Sequence, residues 1–221
     1  MKMTMRLGLT TLVLLLLAAC GTVQPPPELE TAAVREGYRF SNKSASAYSE
    51  NTAGCKTTSV GISAYKTRQK EIKGAKTESD AVEFYLSRYN QCTESGFSIS
   101  SSSSGEDFSI NKRLTKATLT ATFRACRESF TDGTSVCGPA ELTVSWTGQG
   151  ELTRSRSTEQ IKTSSYTETY RFRGISRDAT ASGSFSFRGK TYELSFPAPS
   201  DETSEGAFLF SGKGSYVKIT K

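Results

Sequence analysis

The stretch ATLTATFRACRESFTDGTSVCGPAELTVSWTGQGELTR, residues 117–154, decides the fold. On its first arm Ala117, Leu119, Ala121, Phe123 and Ala125 share one face and Thr118, Thr120, Thr122 and Arg124 the other. That period of two is the mark of a half-buried strand. The second arm repeats it, with Leu142, Val144, Trp146 and Leu152 on one face and Glu141, Thr143, Ser145, Thr147, Gln149 and Glu151 opposite. If Cys126 bridges Cys137, an antiparallel register follows in which Phe123 faces Ala140, Ala121 faces Leu142, Leu119 faces Val144 and Ala117 faces Trp146. A slip of one residue would turn each apolar set to the wrong side. One bridge therefore satisfies both patterns, and the stretch is expected to be a disulfide-stapled hairpin.

Working outward, Gly148 and Gly150 fall on the inward face between Trp146 and Leu152, where glycine permits the sharp bends of curved sheets and barrels. Arg154 and Arg156 continue the inward parity of Leu152. They either crown the rim of the core or follow a bulge that turns them out. At a barrel mouth they would bind an anionic ligand or stack on Tyr166 or Tyr170; the plainer reading is exposed arginines at a strand end. Tyr166, Tyr170 and Phe172 are expected to face inward on the next strand, followed by Ala181, Gly183, Phe185 and Phe187. Arg188-Gly189-Lys190-Thr191 reads as a type II′ hairpin turn that sets Phe187 opposite Tyr192. Gly206-x-Phe208-x-Phe210-x-Gly212-Lys213 echoes the segment from Gly183 to Lys190 as a second hairpin, and Val217 and Ile219 lie on a closing strand.

Upstream, strands are expected at Gly37 to Tyr48 and at Thr57 to Thr67, where Val60, Ile62 and Ala64 share a face. The cations Lys66, Arg68, Lys70, Lys73 and Lys76 stand against the single acid Glu71 and read as a solvated loop or edge rather than an anion-binding patch. Thr77-Glu78-Ser79-Asp80 resembles a helix cap, and Val82, Tyr85, Leu86 and Tyr89 recur at helical spacing. The expectation is one short helix from Glu78 to Gln91, against a competing strand with Val82, Phe84 and Leu86 on one face. Short strands follow at Phe97 to Ser100 and Phe108 to Ile110, joined by a serine run.

At the start of the chain Lys2 and Arg6 precede an apolar run from Leu7 to Leu17, then Leu17-Ala18-Ala19-Cys20-Gly21. This order resembles the bacterial prolipoprotein signal with its lipobox. The resemblance covers residues 1–21 and implies cleavage before Cys20 and diacylglycerol on its sulfur, so that acyl chains hold the protein to a membrane. Gly21 in place of Asp lacks the family's usual inner-membrane retention signal, so a bacterial envelope location is implied, with the outer membrane favoured where there is one. The apolar run is shorter than the roughly 20 residues that span a bilayer. Residues 20–35, with Pro25, Pro26 and Pro27, read as an extended tether, and residues 36–221 as a single β-rich domain.

Without residues 1–19 the chain has 202 residues, of which 26 are basic and 22 acidic. That mild positive balance suits anionic lipids or envelope polymers and does not argue for nucleic acid. Cys55, Cys92, Cys126 and Cys137 remain beyond Cys20, so two disulfides are expected, Cys55 with Cys92 and Cys126 with Cys137. With no His and no Cys-x-x-Cys in the chain, no metal or other cofactor is expected. Ser63-Ala64-Tyr65-Lys66 and Ser109-Ile110-Asn111-Lys112 match Ser-x-x-Lys but lie on strand-like segments, where the catalytic serine of that motif should open a helix. Two Gly-x5-Gly-Lys stretches have five intervening residues where a phosphate loop needs four, and no helix follows. No catalytic residue is assigned.

The expectation is an all-β, mainly antiparallel barrel or sandwich of about ten strands with one short helix. Its interior is expected to be filled, large aromatics facing small residues. Functionally it reads as a non-catalytic, lipid-anchored envelope lipoprotein whose β domain is a binding module for an anionic envelope polymer or a small apolar ligand. The alternatives are a structural envelope component and, behind it, a hydrolase.

Overall fold

A computed structural model of the chain describes residues 34–103, 107–200 and 205–220. The expected signal, the expected lipobox with Cys20 and all of the expected tether before Val34 lie outside these residues.

Alternating apolar and hydroxyl residues produce strands along nearly the whole described chain. They are β1 (Val34–Ala53), β2 (Lys56–Glu71), β3 (Lys76–Asn90), β4 (Ser95–Ser103), β5 (Asp107–Ile110), β6 (Lys116–Ser129), β7 (Ser135–Gly148), β8 (Thr153–Lys162), β9 (Tyr166–Phe187), β10 (Lys190–Phe196) and β11 (Gly206–Thr220). Every ladder is antiparallel. Pairing runs β9-β11-β1-β2-β3-β4-β6-β7 and returns to β9, so eight strands close a ring.

The fold is all-β, as the alternation requires, and it corrects the expected helix. Residues 78–90 belong to β3. Val82, Phe84 and Leu86 are buried on one face, whereas Tyr85, which a helix would bury, is 42% exposed. The capping motif is a local signal; the edge of β2 offers β3 a continuous ladder from Lys56↔Asn90 to Lys70↔Lys76, and tertiary pairing wins over local propensity.

The β6–β7 hairpin has the register deduced from its pattern, Phe123↔Ala140, Ala121↔Leu142, Leu119↔Val144 and Ala117↔Trp146, with Cys126 opposite Cys137. Both expected disulfides are present, Cys126–Cys137 within the hairpin and Cys55–Cys92 joining the ends of β2 and β3. Across the ring, Phe185 stacks on Phe84 with centroids 4.1 Å apart and also meets Phe123 and Tyr192. Trp146 is fully buried, and its Nε1 donates to the Ser46 carbonyl at 3.1 Å, which satisfies the one polar atom that burial would otherwise strand.

Two further readings are corrected. β9 runs 22 residues with unbroken register against β11 and β7, so the inward parity of Phe185 and Phe187 extends to Arg171 and Arg173. Tyr166, Tyr170 and Phe172 therefore face outward. There Phe40, Phe172 and Phe210 stack over the sheet and crowd the positions a Cβ would take at Gly174, Gly212 and Gly214. The β9–β10 turn centres on Arg188 and Gly189, both at positive φ, the geometry of type I′. Its register is Phe187↔Lys190 and Phe185↔Tyr192, two residues from the expected one. Gly212-Lys213 lies within β11 and forms no second hairpin.

Candidate functional site, a cationic trough

The ring does not persist along the full length of its strands. β1, β2, β3, β9 and β11 run on past the level where β4, β6 and β7 complete the barrel, and β8 joins them by pairing with β9. The boundary is built from the turn before β6. Asn111 Oδ1 accepts from the Thr115 amide at 2.9 Å, and Leu114, at φ 52° and fully buried, is pushed into the barrel end. Gly148 makes room for it, since a Cβ there would collide with the Leu114 carbonyl. Leu152 and Ile175 pack against the core at the same level. Arg177 lies opposite Leu209 in the ladder, with its Nε buried and lacking a hydrogen-bond partner.

Beyond this floor the six strands β8-β9-β11-β1-β2-β3 form a curled sheet, a trough whose inner face continues the barrel interior by strict alternation. Three tiers follow, each about 7 Å from the next because two residues separate them along a strand. The first aligns Arg154, Ile175, Ser211, Lys43, Lys66 and Asp80; the second Arg156, Arg173, Lys213, Ser41, Arg68 and Glu78; the third Thr158, Arg171, Ser215, Arg39, Lys70 and Lys76.

Two adjoining open clefts, of about 720 and 550 Å³, occupy this face. Together they are lined by ten cationic side chains and, among the described residues, by no carboxylate. Two acids sit at the β3 margin. Glu78 bonds Arg68 at 3.3 Å and Lys76 at 2.5 Å, and the hydrogen bond from Lys76, with the charge of Arg68, holds its carboxyl below the usual carboxylate range. Asp80 lies opposite Lys66.

The sequence placed Arg154 and Arg156 at either the rim of the core or an outward bulge. They keep the inward parity and line the trough. Stacking on Tyr166 or Tyr170 is ruled out by position, because those rings are on the other face. The alternating cations Lys66, Arg68 and Lys70 are the inward residues of a strand, not of a loop. Arg171 and Arg173, opposite in parity to Tyr170 and Phe172, were expected outward and are inward instead; Arg39, Lys43 and Lys213 were not singled out as a site, although each shares strand parity with a core residue, Ala45 or Leu209, and that continuity was a readable signal.

On β6 and β7 the outer face is of opposite character, whereas on β1, β9 and β11 it carries the stacked rings of Phe40, Phe172 and Phe210. Thr118, Thr120, Thr122 and Arg124 on β6, with Glu141, Thr143, Ser145 and Thr147 on β7, are polar and apart from the core. No helix among the described residues is long and apolar enough to cross a membrane. No cluster of His, Cys, Asp and Glu able to hold a metal occurs among them. The two disulfides are what an oxidising compartment permits.

The chain matches no protein-family model and no curated protein. Among solved structures, the beta domain of the Bordetella autotransporter Brka aligns over 81% of this chain and 98% of its own, with 7% identity and a TM-score of 0.17.

Proposed function

We propose that this is a non-catalytic, lipid-anchored lipoprotein of the bacterial envelope whose β domain holds an anionic envelope polymer in the cationic trough. The observation that carries this reading is the segregation of charge, ten cations and no carboxylate lining the two clefts. A surface built only for solubility mixes its signs. The filled, aromatic barrel beneath supplies rigidity and places the six strands, and the lipobox residues around Cys20 supply the anchor. An apolar ligand is the weaker reading, because the interior is occupied by Phe84, Phe123, Phe185 and Trp146.

The binding test uses the full chain in nonionic detergent on a sulfated polysaccharide matrix, with Arg156→Glu/Arg173→Glu beside the wild type. The wild type is expected to be retained and released by salt, and the double variant to lose at least ten-fold in affinity. Equal retention of the two would remove the trough from the proposal. The anchor is tested by labelling cells with palmitate; Cys20→Ala is expected to abolish incorporation, and label in that variant would refute the assignment.

A further inference from the structure

Four residues, Ser41, Arg156, Arg173 and Lys213, line both clefts, and they stand in a single tier. Lys213 pairs with Ser41 on one side and with Arg173 on the other, and Arg173 pairs with Arg156. Three cations thus occupy three adjacent strands in direct register. Like charges directly opposite one another destabilise a sheet, and among the described residues no ion pair relieves these three. Some cations elsewhere are compensated: Lys218 lies 3.4 Å from Glu168 and over the ring of Tyr166, and Arg127 lies over Phe97. A strand built only to hold the wall would have no reason to keep Arg156 opposite Arg173.

We propose that this tier is a phosphoryl site, and that the anion the trough takes presents a terminal phosphoryl group. The inference rests on the reading of the trough as an anion site and goes further by naming the group. A carboxylate brings one charge and two coplanar oxygens. A phosphate monoester brings a charge of about −1.5 to −2 and three acceptor oxygens. Two guanidinium forks, an ammonium and a hydroxyl on four different strands surround a tetrahedral group from several directions, which a planar carboxylate cannot use. Arginine is also the side chain whose paired N–H donors match phosphoryl oxygens bidentately. Arg154 and Arg171, one tier to either side, extend the cationic face along the strands and leave room for the rest of the molecule that carries the terminal phosphoryl group.

The test titrates the full chain in nonionic detergent, at one ionic strength, with inorganic tripolyphosphate as the polymer probe, glycerol 1-phosphate as the lipid-headgroup probe and citrate as the carboxylate control. At least one phosphoryl compound is expected to bind ten-fold or more tightly than citrate, and which one does so tells whether a polymer or a headgroup is the source. Arg156→Lys/Arg173→Lys keeps the charge and removes the forks; it is expected to erase the preference by weakening phosphoryl binding more than citrate binding. Citrate binding as tight as both phosphoryl probes would overturn the phosphoryl inference and leave the anion trough standing. A preference that survives the double lysine variant would overturn the assignment to this tier. Binding of none of the three would overturn both.

Discussion

The lower and upper halves of the same strands differ more than any two strands do. On β9 the inward residues are Ala179, Ala181, Gly183, Phe185 and Phe187 at one end and Arg171 and Arg173 at the other; on β2 they are Val60, Ile62 and Ala64, then Lys66, Arg68 and Lys70. Backbone geometry, register and parity pass through the change without a break. What changes is the company across the sheet. In the lower half β4, β6 and β7 complete the ring, and Ala179, Ala64 and Leu209 have no exposure to water. In the upper half the sheet ends at β8 and at the start of β3, and water reaches the same face. Alternation assigns a residue to a face, and closure of the ring decides whether that face must be apolar.

The contrast is tested most strongly by truncating one inward residue from each half. Phe185→Ala removes a fully buried ring that stacks on Phe84, and a loss of about 3–5 kcal/mol is expected. Arg156→Ala, on the same sheet face, is expected to change stability by no more than about 0.5 kcal/mol, as for an exposed residue without a partner. Urea denaturation of both variants measures this, and comparable losses would show that the upper half is part of the core.

The disulfides sharpen the same comparison, since both lie at the barrel end of their strands and away from the trough. Loop closure favours the longer loop: with a sequence separation of 37 for Cys55–Cys92 and 11 for Cys126–Cys137, replacing each pair by serine is expected to cost about 4 and about 3 kcal/mol. Retention on the sulfated matrix below the melting point should be unaffected in both variants. Loss of retention in a folded variant would mean that the trough depends on the barrel end for more than support.

How much of this was legible depended on how local the signal was. The β6–β7 hairpin was readable because Cys126, Cys137 and two alternating arms constrain one register three times over. The site was half readable: Arg154 and Arg156 follow from the parity of Leu152. Their neighbours Arg173 and Lys213 lie on strands whose order in the ring no local pattern states. The inward assignment of Tyr166, Tyr170 and Phe172 failed for an instructive reason. Aromatic residues at period two look like core, but here they cover Gly174, Gly212 and Gly214 on the outer face, filling space those glycines leave on the sheet. The helix expected over Glu78 to Gln91 failed because the β2 edge offers this segment a continuous ladder, in which the Glu78 carboxylate meets Arg68 and Lys76 at the sheet margin instead of lying in the first turn of a helix.

By itself, the sequence determined that the chain is β-rich, where it alternates, how its central hairpin registers and which cysteines pair, because each of these is fixed by neighbours close along the chain or by covalent chemistry. Only the tertiary structure decided that eight strands close on one another, that the ring opens above Leu114, and that cations spread from Arg39 to Lys213 share one face. Those outcomes depend on which strand edges meet across long separations, and a period of two is the same on either side of the point where the ring ends.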